Sequence, residues 1–233
     1  LAILALIAAN KWQRPIYFTS TQELEELGLE KYTRMEGMSY RLVPVESSSQ
    51  QGGIARDISY KNIMEKFGYG NANKPGIFYD EENRRHINSI RAAHAFLGLS
   101  LADANKLDSA RKILQRYDQM VDITNVPYGM TSNRGNQHNR ISMTFLLATY
   151  RSGDLGLAKK VNQSLKSDLE QEMKYYRSLG EDNLTNEQLG MQALQYLNQK
   201  AANLSTKQEG FAQDIMSCYQ FLGQLEDWEK QYK

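Results

Sequence analysis

The sequence is poor in the residues that usually announce a chemistry. Among its 233 residues there is one cysteine, Cys218, so no intrachain disulfide, thiol pair or cysteine-rich metal site can form. Only three histidines occur, His86, His94 and His138, and no two stand at the i, i+4 spacing that puts two zinc ligands on one helical face, so no metal is expected. Charge of either sign is not in excess: 28 basic and 27 acidic residues give a net charge of +1, too small a field to favour nucleic acid or an acidic surface as partner. No Gly-Lys-Ser/Thr or GxGxxG arrangement surrounds Gly68 or Gly135, and there is no Gly-x-Ser-x-Gly elbow. Nucleotide binding and nucleophilic catalysis therefore find no support, no cofactor is expected, and Cys218 reads as a buried small hydrophobe of an amphipathic helix. Long hydrophobic runs are also missing. The apolar opening, residues 1–9, is far short of the roughly 20 residues of a membrane span and lacks the basic start and cleavage site of a signal sequence.

What is present is a core and a change of pattern. A hydrophobic content of 41% supports one large or two small domains. Up to about residue 80 helical and extended signals alternate. Residues 1–11 read as helix, 15–19 as a short strand, 21–27 as a short helix ending at Gly28, 40–45 as a second strand and 58–67 as a helix. Residues 47–53 read as a polar loop, and 68–76 as a turn-rich connection. The two strands are expected to be neighbours, with Ile16, Phe18, Leu42 and Val43 in a common core and Pro15 at a strand start or edge. Beyond residue 80 the period is helical almost throughout. Leu97, Gly98, Leu101 and Ala102 lie on one helix face, Asn105 interrupts it, and Asp108 is positioned to cap a second helix bearing Ala110, Ile113, Leu114 and Tyr117. Further helix pairs are expected over 139–151 with 155–179, turning at Ser152-Gly-Asp154, and over 186–203 with 206–232. Small residues at 98, 110 and 158 resemble those of tetratricopeptide units, though a 48-residue offset between Ala110 and Ala158 exceeds the regular repeat of about 34. The expected fold is mainly α: a small α/β N-terminal module of two or three strands (residues 1–80) followed by tetratricopeptide-like antiparallel helix pairs (residues 81–233).

One stretch carries family information. Trp12-Gln-Arg-Pro-Ile-Tyr-Phe18, Gly28-Leu-Glu-Lys-Tyr32 and Glu36-Gly-Met-Ser-Tyr-Arg-Leu-Val-Pro44 follow in order, with Arg56-Asp57, Tyr60-Lys-Asn-Ile-Met-Glu-Lys-Phe67 and Tyr79-Asp-Glu-Glu-Asn-Arg84 beyond them. This series resembles the extracytoplasmic C-terminal region of domain of unknown function 2723, a bacterial family of large multi-span membrane proteins related to protein O-mannosyltransferase-like glycosyltransferases. The resemblance implies an inner-membrane protein with this domain on the periplasmic side. Its implied partners are the upstream membrane domain of the same chain and an acceptor polypeptide or glycan. Proposed catalytic acids of that family belong to its membrane portion, so none transfers to this sequence. It also implies that residues 1–9 form an amphipathic helix of the soluble domain; the competing expectation is a truncated membrane segment of a longer protein that continues before Leu1.

Most remaining candidates have structural explanations. Asp80, Glu81 and Glu82 could form an acid/base cluster, yet they sit where a helix N-terminus favours negative charge. Most of the 14 tyrosines and two tryptophans belong to packing. Residues 126–138 stand apart as a long, Gly- and Asn-rich segment between patterned helices. Within it Tyr128, Asn133, Arg134, Asn136 and Gln137 offer the stacking and hydrogen bonding that sugars or peptides use, and they are the expected binding residues. The expected function is a non-catalytic domain positioning an acceptor protein or glycan. The alternatives are a tetratricopeptide-type protein-interaction scaffold unrelated to glycans and a free-standing glycosidase.

Overall fold

The computed structural model describes residues 2–47, 52–130, 135–180 and 184–232. The chain is mainly α with a small four-stranded sheet near its N-terminus, and it divides into two compact units, Leu1–Gly68 and Tyr69–Lys233.

In the first unit, α1 (Ala2–Asn10) leads into β1 (Ile16–Phe18), α2 (Gln22–Glu25), β2 (Thr33–Met35), β3 (Tyr40–Leu42), β4 (Gly53–Ile54) and α3 (Arg56–Lys66). The sheet order is β1-β3-β2-β4, antiparallel except for the parallel β2–β4 pair. The two expected strands are neighbours, with Ile16 opposite Leu42 and Phe18 opposite Tyr40. Alternation along such short strands sends only part of each inward. Ile16 and Leu42 are buried while Phe18 and Val43 are half-buried, so the expected core of four shrinks to two and is completed by Leu24, Met35 and Ile63. β2 and β4 are not expected from the sequence: at three and two residues they are below the length at which alternation can be recognised. The turn after β2 is held by α3, where Ser59 Oγ donates to the Met35 carbonyl (2.8 Å) and accepts from Gly37 N–H (3.1 Å). Asn62 Nδ2 donates to the Glu36 carbonyl at 2.9 Å. Gly37 takes φ +100° there, a conformation open to glycine. The expectation of an amphipathic first helix is not met. α1 is apolar on all sides and buries no residue.

The second unit begins twelve residues before the expected boundary because residues 69–80, which have no period, are tied to the helices. The Ala72 carbonyl accepts from Asp122 N–H (2.8 Å) and Asn125 Nδ2 (3.0 Å), and Tyr69 bonds His94 at 3.0 Å. The helices are α4 (Glu81–Asp103), α5 (Leu107–Met120), α6 (Gln137–Ser152), α7 (Leu155–Ser178), α8 (Asn186–Leu197), α9 (Thr206–Gly210) and α10 (Ala212–Gln231). Their ends follow local rules. Asp80 caps α4 by accepting from Asn83 N–H, Asp154 caps α7, and left-handed Gly153 closes α6. Thr185 with Gln188 and Ser205 with Gln208 form capping boxes. Asp108 does not cap α5. The cap position is Lys106, and Asp108 lies in the first turn, paired with Arg111.

Side-chain pairs give the helix directions. Arg91 to Ser142 and Asp103 to Arg151 set α4 and α6 parallel; Asn139 to Asp168 and Tyr150 to Asn162 set α6 and α7 antiparallel. α10 runs parallel to α6 from Asn136–Cys218 through Arg140–Phe221 to the stacked rings of Tyr150 and Tyr232. Close approach relies on small residues. A Cβ on Gly98 would lie 2.9 Å from Leu114, and one on Gly190 would run into the Tyr219 ring. Ala110 and Ala158 are both fully buried.

Candidate functional site

The segment joining α5 to α6 is organised by one buried cation. Arg91, on α4, is fully buried, and its guanidinium donates to Tyr117 Oη (3.0 Å), Ser142 Oγ (2.7 Å) and the carbonyls of Val126, Pro127 and Tyr128 (2.8 to 3.2 Å). It lies 5.4 Å and 5.0 Å from the ring centroids of Tyr117 and Tyr128. A buried charge requires such a shell. Tyr128 faces this core, and its hydroxyl donates to Asp118 at 2.9 Å; Asp118 also receives Lys160 Nζ at 2.6 Å. Desolvation first, and Asp118 next, raise the Tyr128 phenol well above its ordinary range. Gly129 then touches α7, its N–H donating to Ser164 Oγ (2.9 Å). An added Cβ would collide with the Ser164 carbonyl oxygen, which is backbone and cannot swing away. Gly129→Ala should therefore cost about 1–3 kcal/mol in urea denaturation, the range of overpacking. A loss under about 0.3 kcal/mol would mean that the segment slides freely over α7.

The start of α6 rests on a second polar network. Asn136, left-handed at φ 55°, donates to Glu172 Oε2 (3.0 Å) and Cys218 Sγ (3.0 Å). Asn139 donates to Asp168 Oδ2 (2.7 Å) and accepts from Met130 N–H (2.9 Å). The Cys218 thiol donates to Glu172 Oε2 at 2.6 Å, and burial followed by that carboxylate drives its pKa far up, so it stays a protonated donor. Cys218 is buried as expected, but it is held as a polar partner. Burial and Glu172 also raise the carboxyl of Asp214.

Beside this network residues of α6, α7, α8 and α10 line a cleft of about 970 Å³. Its walls include the half-exposed rings of Tyr219, Phe221 and Trp228. Arg140 projects over Phe221, 5.6 Å from the ring centroid. The lining also holds Lys166 and the carboxylates of Glu170, Glu187, Glu226 and Asp227, while Thr144 and Gln224 add neutral donors and acceptors. Aromatic faces beside amides and carboxylates can stack on and hydrogen-bond a polyhydroxylated or peptide ligand. A second recess of about 410 Å³, lined by Pro127, Gly129, Ser164 and Asp168, adjoins the α5–α6 segment.

The expected binding residues fall in different surroundings. Tyr128 and Asn136 are buried at 1% and 2% exposure and serve the two internal networks, so neither presents its side chain to solvent. Gln137 is exposed at the first residue of α6. Asn133 and Arg134 lie outside the described residues. Residues 126–130 thus acquire the structural role that the sequence does not suggest. The cleft residues Arg140, Phe221 and Trp228 are not distinguished by the sequence, where they are ordinary members of helical patterns. The one sequence signal for them is three rings in ten residues of α10, at 219, 221 and 228.

No curated protein and no solved structure matches the chain. Residues 1–62, which run from α1 into α3, match the family model described as TMEM260-associated domain 2.

Proposed function

We propose that the chain is an auxiliary domain of a membrane-embedded glycosyltransferase-like protein, on the extracytoplasmic side, that positions an acceptor polypeptide or glycan while the chemistry takes place elsewhere. The match of residues 1–62 to a TMEM260-associated domain carries this reading, because it supports association with a membrane protein. The ordered motifs from Trp12 to Arg84, with their resemblance to domain of unknown function 2723, extend it to glycan transfer and to a periplasmic setting at the inner membrane. Partners in this reading are the membrane domain upstream in the same chain and the acceptor. The α6–α10 cleft is the recognition surface, joined by the exposed Gln137; Asn133 and Arg134 are kept as proposed binding residues on their sequence alone. No catalytic residue is assigned: half-buried Asp168 and buried Glu172 are bonded to the amides of Asn139 and Asn136. Binding by the separate chain is expected to be weak, because tethering beside a catalytic partner supplies effective concentration.

The test is acceptor glycosylation by the full-length parent carrying Arg140→Ala with Trp228→Ala. Apparent acceptor affinity should fall at least about 5-fold, as for loss of a ring and a cation from a binding surface. Lys230→Ala, on α10 but outside the cleft lining, should leave it unchanged. Unaltered glycosylation in the double variant, with folding verified, removes the cleft from this role. A tetratricopeptide-type scaffold is the second reading, favoured by the parallel course of α4, α6 and α10 and the Gly98 approach to Leu114. It predicts a protein partner whose capture is independent of glycans.

A further inference from the structure

The first helix buries none of its residues, and only Ile3, Ile7 and Asn10 are half-buried. Ala2–Asn10 reads Ala-Ile-Leu-Ala-Leu-Ile-Ala-Ala-Asn, and Leu4 and Leu6 are 47% and 52% exposed. Its apolar side chains surround the axis instead of forming the single stripe that a helix lays on a core. A helix apolar on all sides belongs in a hydrophobic surround, either protein interior or bilayer. The nine residues of α1 extend roughly 14 Å at a rise of about 1.5 Å each, and among the described residues no helix is long and apolar enough to cross a membrane.

The residues after this helix suit the headgroup zone. Lys11 and Trp12 both take left-handed backbone conformations (φ 51° and 61°), which end α1 and turn the chain, and Arg14 comes two residues later. Trp12 is 47% exposed, and no carboxylate pairs with Lys11 or Arg14 among the described residues. Tryptophan with lysine and arginine at the end of an apolar segment is the composition of a membrane–water interface, and cations there are drawn to anionic headgroups. We propose that α1 inserts into the hydrocarbon of an anionic bilayer, with Lys11, Trp12 and Arg14 at the level of the lipid phosphates. The inference rests on the membrane-association reading above and adds lipid itself as a direct partner of the α/β unit. A second copy of the chain is the competing occupant, but two cations and an exposed indole beside the apolar helix favour an anionic lipid surface.

Flotation of the 233-residue chain with phosphatidylcholine vesicles, and with vesicles containing about 30% phosphatidylglycerol, tests it. Binding should be at least about 10-fold stronger to the anionic vesicles and vanish in Leu4→Glu with Leu6→Glu. Lys11→Glu with Arg14→Glu should weaken it about 10-fold. All four side chains are exposed, so thermal stability should not change. In a Trp228→Phe background, which leaves Trp12 as the sole tryptophan, brominated acyl chains should quench its emission. No binding to either vesicle, or binding indifferent to the Leu4 and Leu6 substitutions, overturns the proposal. So does concentration-dependent self-association that those substitutions abolish while no vesicle is bound. Absence of vesicle binding by the unsubstituted chain, with glycosylation still impaired in the Arg140→Ala, Trp228→Ala parent, would sink this inference alone; vesicle binding as expected, with glycosylation unimpaired in that parent, would sink only the role of the cleft.

Discussion

Arg91→Met should destabilise the helical unit by about 3–5 kcal/mol, more than any other single substitution proposed for this chain. Methionine keeps much of the volume but removes a guanidinium whose donors satisfy three backbone carbonyls and two hydroxyls. In a fully buried site those acceptors cannot turn to water, and each orphaned group costs about 1–3 kcal/mol, with partial relief as the segment relaxes. Arg91→Lys should recover only part of the loss, because a single ammonium has three donors and no planar fork. Urea denaturation followed by circular dichroism reads the difference. A change under about 1 kcal/mol for the methionine variant would show that residues 126–128 are held by other means. Because Val126, Pro127 and Tyr128 lead toward the start of α6, the same substitution should raise amide exchange at Met130, whose N–H donates to Asn139 Oδ1 and closes the segment.

Acid should weaken the same unit well before its carboxylates titrate. His94 Nδ1 is 2.8 Å from the Ile90 carbonyl, which can only accept, so that nitrogen carries the proton and Nε2 accepts from the Tyr69 hydroxyl at 3.0 Å. Burial, reinforced by Arg116 and opposed by the Ile90 bond, lowers the imidazole pKa to about 4. The unfolded chain, with an ordinary histidine near 6.5, then binds more protons than the folded one between these values. Stability is full above pH 6.5 and declines as pH falls toward 4, by about 2 kcal/mol at pH 5 and about 3 kcal/mol at pH 4. Half-buried His138 shifts in the same direction through desolvation and adds to the slope. Asp80 and Asp122, lowered by bonds from Asn83 and Thr124, lose their contributions only at lower pH. His94→Gln should therefore flatten the thermal stability profile between pH 6.5 and 5, whatever its stability at pH 7. An unchanged slope in that variant would show that His94 is not the titrating group.

Both substitutions lie on residues that the sequence does not mark as internal. Arg91 sits within a charged and polar stretch of α4 and has the look of a solvated face. His94 stands out on the sequence only as a candidate metal ligand. Neither residue type nor spacing tells that both point inward, because α4 is packed by α5 on one side and α6 on another, and its buried surface is wider than a single stripe. Tyr128 is the converse. Its neighbours Pro127, Gly129 and the polar residues beyond suggest an exposed, aromatic-tipped loop, whereas the ring fills space between Tyr117 and Phe145 at centroid distances of 6.1 and 5.3 Å.

Local pattern is enough to determine the class of the fold, the helices from α3 to α7 to within a few residues, the pairing of β1 with β3, and the ends at Asp80, Asp154 and Gly153; in the last pair the helix expected over 186–203 ends at Leu197, and the one expected over 206–232 breaks at Phe211 into α9 and α10. A helical period, a side chain three residues from an orphan amide, or a glycine at positive φ is decided within one turn of chain. Which polar groups are internal, and where the open surface lies, is decided only when the helices come together. Arg91 meets Ser142 across 51 residues, and Asn136 meets Cys218 across 82. The cleft exists where residues of α6, α7, α8 and α10 come together, with Arg140 over Phe221 and Tyr150 stacked on Tyr232. Such meetings depend on how whole helices cross, and crossing is set by the summed shapes of two packed faces, which no window of sequence contains.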